Sequence, residues 1–181
     1  MSSYNEPSQH LFWLASRSLG VTAVVLLSLS VALGLSLSGR LARRPGGPGR
    51  IKAVHEALSL SALLAIVGHG LLLLGDSYLH PGLAGIALPF ALSTKRAFTG
   101  IGVIGGWLAL IIGLSFYVRH LISVAVWRWL HRWTLAVYLL ALIHTFGSGT
   151  DAGSPWLRIV VAASAVPVVF AAVYRLSLIH I

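Results

Sequence analysis

The chain lacks cysteine and has few acidic residues. With no Cys among 181 residues, disulfides, thiolate metal sites, iron–sulfur clusters and covalent c-type haem attachment are all excluded. Histidine is then the strongest nitrogen ligand left for a metal. Only 4 residues are Asp or Glu, and charged residues make up 9% of the chain against 57% hydrophobic residues. This composition is typical of an integral membrane protein.

Five apolar segments have lengths near that of a bilayer crossing. A crossing helix needs about 20 residues, with about 17 as the lower limit, and helices satisfy their own backbone groups in lipid. The sequence therefore predicts an all-α membrane protein with a single transmembrane domain over 1–175. A further apolar piece at 82–92 is too short to span and predicts an interfacial segment in the long outer loop. The five predicted spans are 19–38, 53–74, 98–118, 131–147 and 156–174.

The net charge of +9 follows the predicted topology. If the loop 39–52 is cytoplasmic, nine of the 13 Lys and Arg residues lie on that side and four on the other, which puts the N-terminus outside by the positive-inside rule. The expected partner of this charge is the lipid bilayer, not nucleic acid. Residues 176–181 (LSLIHI) resemble a translated sequencing adapter, so we expect the natural chain to differ after about Arg175.

Four histidines lie inside or at the mouths of apolar segments: His55, His69, His131 and His144. Ionisable side chains in hydrocarbon are costly and often mark functional sites. At about 1.5 Å per residue, spacings of fourteen and thirteen residues separate each couple by about 20 Å along segments that run in the same direction. The pattern predicts His55 opposite His131 near the inner surface and His69 opposite His144 near the outer one, each couple ligating one haem iron.

The two spacings predict different rotations of the second histidine around the helix axis. At about 100° per residue, fourteen steps return His69 to within about 40° of His55, whereas thirteen leave His131 and His144 about 140° apart. A tilt, an over-wound turn or a π-bulge would be needed, and the sequence does not account for it. The competing interpretation is that such histidines are interhelical hydrogen-bonding or helix-end residues.

Arginines and tryptophans flank the histidines. Arg132, beside His131, and Arg17, at the head of the first span, are candidate partners for haem propionates, or else mark helix ends. Trp127 and Trp129 suit the headgroup region.

A glycine run in the third segment matches a dinucleotide fingerprint. Gly100, Gly102 and Gly105 spell G-x-G-x-x-G, but no strand precedes them and no acidic residue follows about 20 positions later. Gly102 and Gly106 instead predict a small-residue helix-packing face.

These residues resemble the ferric reductase-like transmembrane domain family, which includes ferric reductases and NADPH oxidases. The likeness covers about 12–175 and is carried by Arg17, His55-x13-His69, Trp127-Arg128-x2-His131 and the segment 144–151. The resemblance implies a cytochrome of a bacterial cytoplasmic membrane in which electrons cross two haems b. The donor would be a cytoplasmic flavoprotein or quinol, with any flavin on a separate or missing domain. The acceptor outside would be ferric iron or a redox protein.

One departure from the family pattern argues against one activity, the reduction of oxygen to superoxide. Oxygen-reducing members carry another histidine one turn beyond the outer ligand, and here that position is Leu73, so superoxide production is not expected. Two alternatives stay open: a non-catalytic haem-binding anchor or sensor subunit for a periplasmic enzyme, and a small transporter that uses histidines for protons or metal.

Overall fold

The computed structural model describes residues 7–38 and 47–177. Residues 1–6, 39–46 and 178–181 lie outside this range. They include most of the predicted loop 39–52 and most of the suspected adapter 176–181. All regular secondary structure in the described part is helical, which confirms the predicted all-α class. The helices are α1 (Pro7–Ser38), α2 (Gly47–Leu72, extended by a 3-10 turn at Leu73–Gly75), α3 (Gly82–Ala87), α4 (Arg96–Leu114), α5 (Arg119–Ile122), α6 (Val124–His131), α7 (Thr134–Ser148) and α8 (Pro155–Ser177).

In the described part of the chain, four helices are long and apolar enough to cross a membrane: His10–Ser38, Gly49–Gly75, Arg96–Leu114 and Pro155–Ser177. They correspond to the first, second, third and fifth predicted spans, so the chain is an integral membrane protein. Large apolar side chains such as Leu64 and Phe170, 73% and 66% exposed, lie on the outside of the bundle, where lipid solvates them.

The predicted fourth span, 131–147, is not one continuous helix. His131 is the last residue of α6, and α7 begins at Thr134. Between them, the N–H groups of Arg132 and Trp133 donate to carbonyls three residues back, a tighter pattern than the α-helix has. The predicted start of this helix at His131 is therefore wrong. α7 itself has 15 residues, fewer than the lower limit of about 17 for a span.

Four helices (α1, α2, α4 and α7) form a ring, and we call the space between α2 and α7 the central gap. α1 packs on α2 and α7, and α4 packs on the same two helices, so α2 and α7 lie on opposite sides of the gap. At mid-height the gap is filled by an apolar cluster that draws on α2, α4 and α7. Its buried members are Leu63, Ala109, Ile112 and Val137. α8 packs on α1, and its residues Val161 and Val168 share apolar clusters with residues of α1 and α7.

The outer loop folds back onto α4. The Trp107 Nε1–H group donates to the Ala87 carbonyl at 2.8 Å, and the Arg96 Nε–H group donates to the Phe90 carbonyl at 2.8 Å. Phe90 has a left-handed backbone (φ 63°), and its ring covers Gly100, where a side chain would overlap it. The loop is thus held against the first half of α4.

Candidate haem-binding site

The four histidines meet in two pairs across the central gap. The ring centroids of His55 and His131 are 6.1 Å apart, and those of His69 and His144 are 6.2 Å apart. We call them the inner pair and the outer pair, after the predicted orientation. They are the couples that the sequence predicts, and the apolar cluster around Leu63 separates their two levels.

The break between α6 and α7 explains the azimuth mismatch. His131 ends one helix and His144 lies in the next, so the thirteen residues between them do not follow one helical rotation. Thr134 Oγ1 donates to the His131 carbonyl at 2.8 Å, which satisfies a carbonyl at the end of α6. Both histidines can therefore face α2 without a π-bulge.

Backbone carbonyls hold three of the four imidazoles. The Nδ1–H group of His69 donates to the carbonyl of Ser16 at 2.8 Å. His55 donates in the same way to Ser30 at 2.9 Å, and His144 to Phe98 at 2.9 Å. A neutral imidazole that carries its proton on Nδ1 has a free lone pair on Nε2. Histidines that ligate metals are commonly oriented by this type of bond.

The hydroxyl groups of two α1 serines reinforce these bonds. Ser16 Oγ lies 3.0 Å from His69 Nδ1 and donates to the His69 carbonyl at 2.8 Å. Ser30 Oγ lies 3.2 Å from His55 Nδ1 and 2.7 Å from Ser59 Oγ. Ser59 Oγ in turn donates to the His55 carbonyl at 2.7 Å. The ring of each α2 histidine is therefore bound to α1, and the backbone of His69 is bound to α1 as well.

Three glycines give the imidazoles room. A Cβ added at Gly20 would lie 3.1 Å from His69 Nδ1, and one at Gly34 would lie 3.2 Å from His55 Cε1. At Gly102, on α4, a Cβ would overlap the His144 ring. Gly102 therefore accommodates a histidine and is not simply part of a helix-packing face.

Sequence reasoning missed the role of α1, although a signal for it exists. The segments 16–20 and 30–34 read SRSLG and SVALG, a repeat of S-x-x-L-G after fourteen residues. Fourteen is also the spacing of His55 and His69. The contribution of the Phe98 carbonyl has no signal in the sequence, because any residue supplies a carbonyl.

Trp127 and Trp129 have different environments. Trp129 is 56% exposed, as the predicted headgroup position requires. The Trp127 ring instead stacks on His131, with centroids 5.2 Å apart and planes at 27°, and meets Phe116 edge to face at 5.9 Å.

The two candidate propionate partners also differ. Arg17 forms an ion pair with Asp151, and its guanidinium carbon lies 5.0 Å from the centroid of Trp13 and 5.6 Å from that of Trp156. Arg132 is exposed at the end of α6, next to His131. A role of either in binding propionates stays a prediction.

An acid and a phenol meet beyond the inner end of α4. The Tyr117 hydroxyl donates to Glu56 Oε1 at 3.0 Å. The pKa of Tyr117 is raised from its ordinary value, first by loss of hydration and then by the hydrogen bond to Glu56 and its negative charge. Glu56 directly follows His55 in α2, so this contact lies close to the inner pair.

The centroid separation of each pair is compatible with an iron ion held between the two imidazoles. Two metal–imidazole bonds of about 2.0 Å, each with about 1.1 Å from ring nitrogen to centroid, separate the centroids by about 6 Å, which both pairs match. Bare metal ions need more protein ligands than two. Among residues 7–38 and 47–177 no group of three or more His, Asp or Glu side chains is placed to hold one. A macrocycle would supply the remaining four ligands.

Comparisons of the chain with protein-family models, curated proteins and solved structures find no match.

Proposed function

We propose that this protein is a transmembrane b-type cytochrome that carries electrons across the bilayer through two bis-histidine haems. One observation carries the proposal: two imidazole pairs, each with a centroid separation suited to an intervening iron, lie at two levels of one helix ring. Bound haem would supply reversible one-electron chemistry at iron. Ligation by two histidines leaves iron no open coordination site, which favours electron transfer over binding of a substrate at the metal.

The chain itself has three tasks in this function. The histidines would hold the iron, and the α1 and α4 carbonyls keep Nδ1 of His55, His69 and His144 protonated so that Nε2 is available. The glycines leave space beside the rings. The apolar cluster between the pairs keeps water out of the interval between the levels. That interval is about 21 Å along α2.

The pairing supports a fifth membrane crossing. His55 and His69 are separated by most of a bilayer thickness along α2. Since His131 meets the first and His144 the second, the end of α6 and α7 cover the same height together. α3 and the outer loop, which Trp107 and Arg96 bind to α4, would then form the interfacial segment.

Direction and partners follow from the charge distribution and the family resemblance. With the N-terminus outside a bacterial cytoplasmic membrane, the inner pair would be the side that receives electrons from a flavoprotein or a quinol. The outer pair would be the side that passes them to ferric iron or a redox protein. Arg132 would neutralise a propionate at the inner level and Arg17 at the outer level. On the basis of this charge distribution and the paired histidines, we infer that the chain is a member of the ferric reductase-like family.

Haem content tests the proposal directly. Purified protein is expected to hold two haems b per chain, measured as the pyridine haemochrome against protein concentration. His55→Ala should remove one haem and His69→Ala the other, whereas His120→Ala, on an exposed residue outside both pairs, should remove neither. A protein with no haem, or spectra that none of these substitutions changes, would refute the cytochrome assignment.

Transmembrane turnover separates an electron conduit from a haem-binding anchor or sensor. Protein in liposomes is expected to reduce enclosed ferricyanide when a reduced donor is added outside. If the two haems are present but no electrons cross, the chain is the anchor or sensor instead.

A further inference from the structure

Trp127 carries a buried donor without an acceptor. Its Nε1 atom is inaccessible to solvent and has no hydrogen-bond partner in the part of the chain that the structure describes. The ring is held on two sides, by the His131 imidazole at 5.2 Å and by Phe116 at 5.9 Å. Packing therefore fixes the position of this N–H group.

Other tryptophans of the chain do not share this feature. Trp107 Nε1 donates to the Ala87 carbonyl at 2.8 Å, and Trp129 is more than half exposed. Buried indole N–H groups in native proteins are usually paired, because leaving one unpaired costs free energy. The unpaired state at Trp127 thus indicates an acceptor that the described chain does not supply.

The surroundings define the chemistry of that acceptor. Trp127 lies one helical turn before His131 on α6, and the cations Arg128 and Arg132 lie on the same short helix or at its end. A haem bound between His55 and His131 would bring only two groups that accept strong hydrogen bonds, its propionate carboxylates. A carboxylate is also the group that neighbouring arginines favour.

We propose that the Trp127 Nε1–H group binds a propionate carboxylate of the inner haem. This inference rests on the proposed function, since it requires a haem at the inner pair. Trp127 then has two contacts with that site: its face packs on an axial histidine and its edge binds the cofactor. The outer pair is unaffected, because His144 lies on α7 and its Nδ1–H group donates to Phe98.

Trp127→Phe tests the proposal, because phenylalanine preserves the stacked ring and removes the N–H group. The rate of haem transfer to excess apomyoglobin is measured for each haem. We expect the inner haem of the variant to leave about tenfold faster or more, the range seen when partners outside the first coordination shell are removed, with the outer haem unchanged. Trp129→Phe is the matched control and should leave both rates unchanged.

Haem that carries alkyl groups in place of both propionates identifies the acceptor, because it has no oxygen at these positions. Reconstituted with this haem, wild-type protein and Trp127→Phe should lose the inner haem at nearly equal rates, because the carboxylate is gone from both. Retention of the outer haem by the variant shows that its bundle is folded.

The results that would overturn the inference differ from those that overturn the cytochrome assignment. If wild-type protein holds two haems and Trp127→Phe releases the inner one no faster than Trp129→Phe does, Trp127 binds no propionate. An accelerated loss that persists with the haem that lacks propionates would show that Trp127 acts only through packing on His131. Absence of haem from the wild-type protein would instead remove the proposed function itself.

Discussion

Gly102→Ala should disable the outer pair with a single methyl group. A Cβ at Gly102 would overlap the imidazole of His144, and the ring is held in that position by the Phe98 carbonyl at 2.9 Å. Since α4 and α7 pack along each other, the ring has to turn instead of the helices separating. Turning the ring breaks the bond to Phe98 and moves Nε2 away from His69.

The size of the effect combines a broken hydrogen bond with a steric overlap. The hydrogen bond to Phe98 contributes about 0.5–1.5 kcal/mol, and overpacking at a tight helix contact costs about 1–3 kcal/mol. Alanine regains about 1 kcal/mol through its higher helix propensity. Loss of an orienting partner lowers metal affinity about 10–100-fold. We therefore expect a loss of stability of about 0.5–3.5 kcal/mol and at least a tenfold weaker outer haem.

Haem titration into the apoprotein, followed by absorbance, measures this affinity. Gly70→Ala is the matched control, because Gly70 follows His69 directly and a Cβ there has no neighbour within 4 Å. Gly102→Ala should bind one haem at wild-type affinity and the second at least tenfold more weakly, and Gly70→Ala should bind both normally. If Gly102→Ala binds both haems as the wild type does, His144 is not a ligand in this geometry.

Three further substitutions test other parts of the site. Ser30→Ala removes the hydroxyl that lies 3.2 Å from His55 Nδ1 and keeps the backbone carbonyl that accepts from the same nitrogen. It should raise the midpoint potential of the inner haem alone, and only slightly, since the imidazole becomes a weaker electron donor. Spectroelectrochemistry measures the potential, and a shift of the outer haem would contradict the assignment. Tyr138→Phe removes a buried hydroxyl 3.3 Å from Ser28 Oγ and should lower the free energy of unfolding by about 0.6 kcal/mol. Unfolding in detergent measures this free energy, and an unchanged value would mean that the contact contributes nothing to stability. Glu56→Gln should bring the raised pKa of Tyr117 part of the way back to its ordinary value in an absorbance titration; an unchanged pKa would show that loss of hydration alone raises it.

The long helices were predictable because their signal is local. Length and uninterrupted hydrophobicity locate three of the five predicted spans to within a few residues. They also identify α1, although this helix continues beyond the predicted start at residue 19 to Pro7. The end of α6 at His131 was not predictable in this way. No proline or glycine marks it, and 3-10 bonding at Arg132 and Trp133 depends on how the neighbouring helices pack.

The pairing of the four histidines could be predicted from the sequence, whereas the groups that orient their rings could not. Depth matching along helices that run in the same direction is enough to pair His55 with His131 and His69 with His144. The carbonyl acceptors and the gap between α2 and α7 are properties of the packed bundle. Gly102 shows the difference well: its spacing from Gly106 suggested helix packing, whereas its neighbour in the structure is a histidine ring.

The repeat in α1 connects the two levels of the site. α1 and α2 are antiparallel neighbours, and Ser16 meets His69 while Ser30 meets His55. A step of fourteen residues forward on α1 therefore corresponds to a step of fourteen residues back on α2, which is close to four helical turns on both. One register between the two helices then satisfies both histidines at once, and a slip of one residue would misalign both. The two S-x-x-L-G segments of α1 thereby orient two histidines that lie fourteen residues apart on α2.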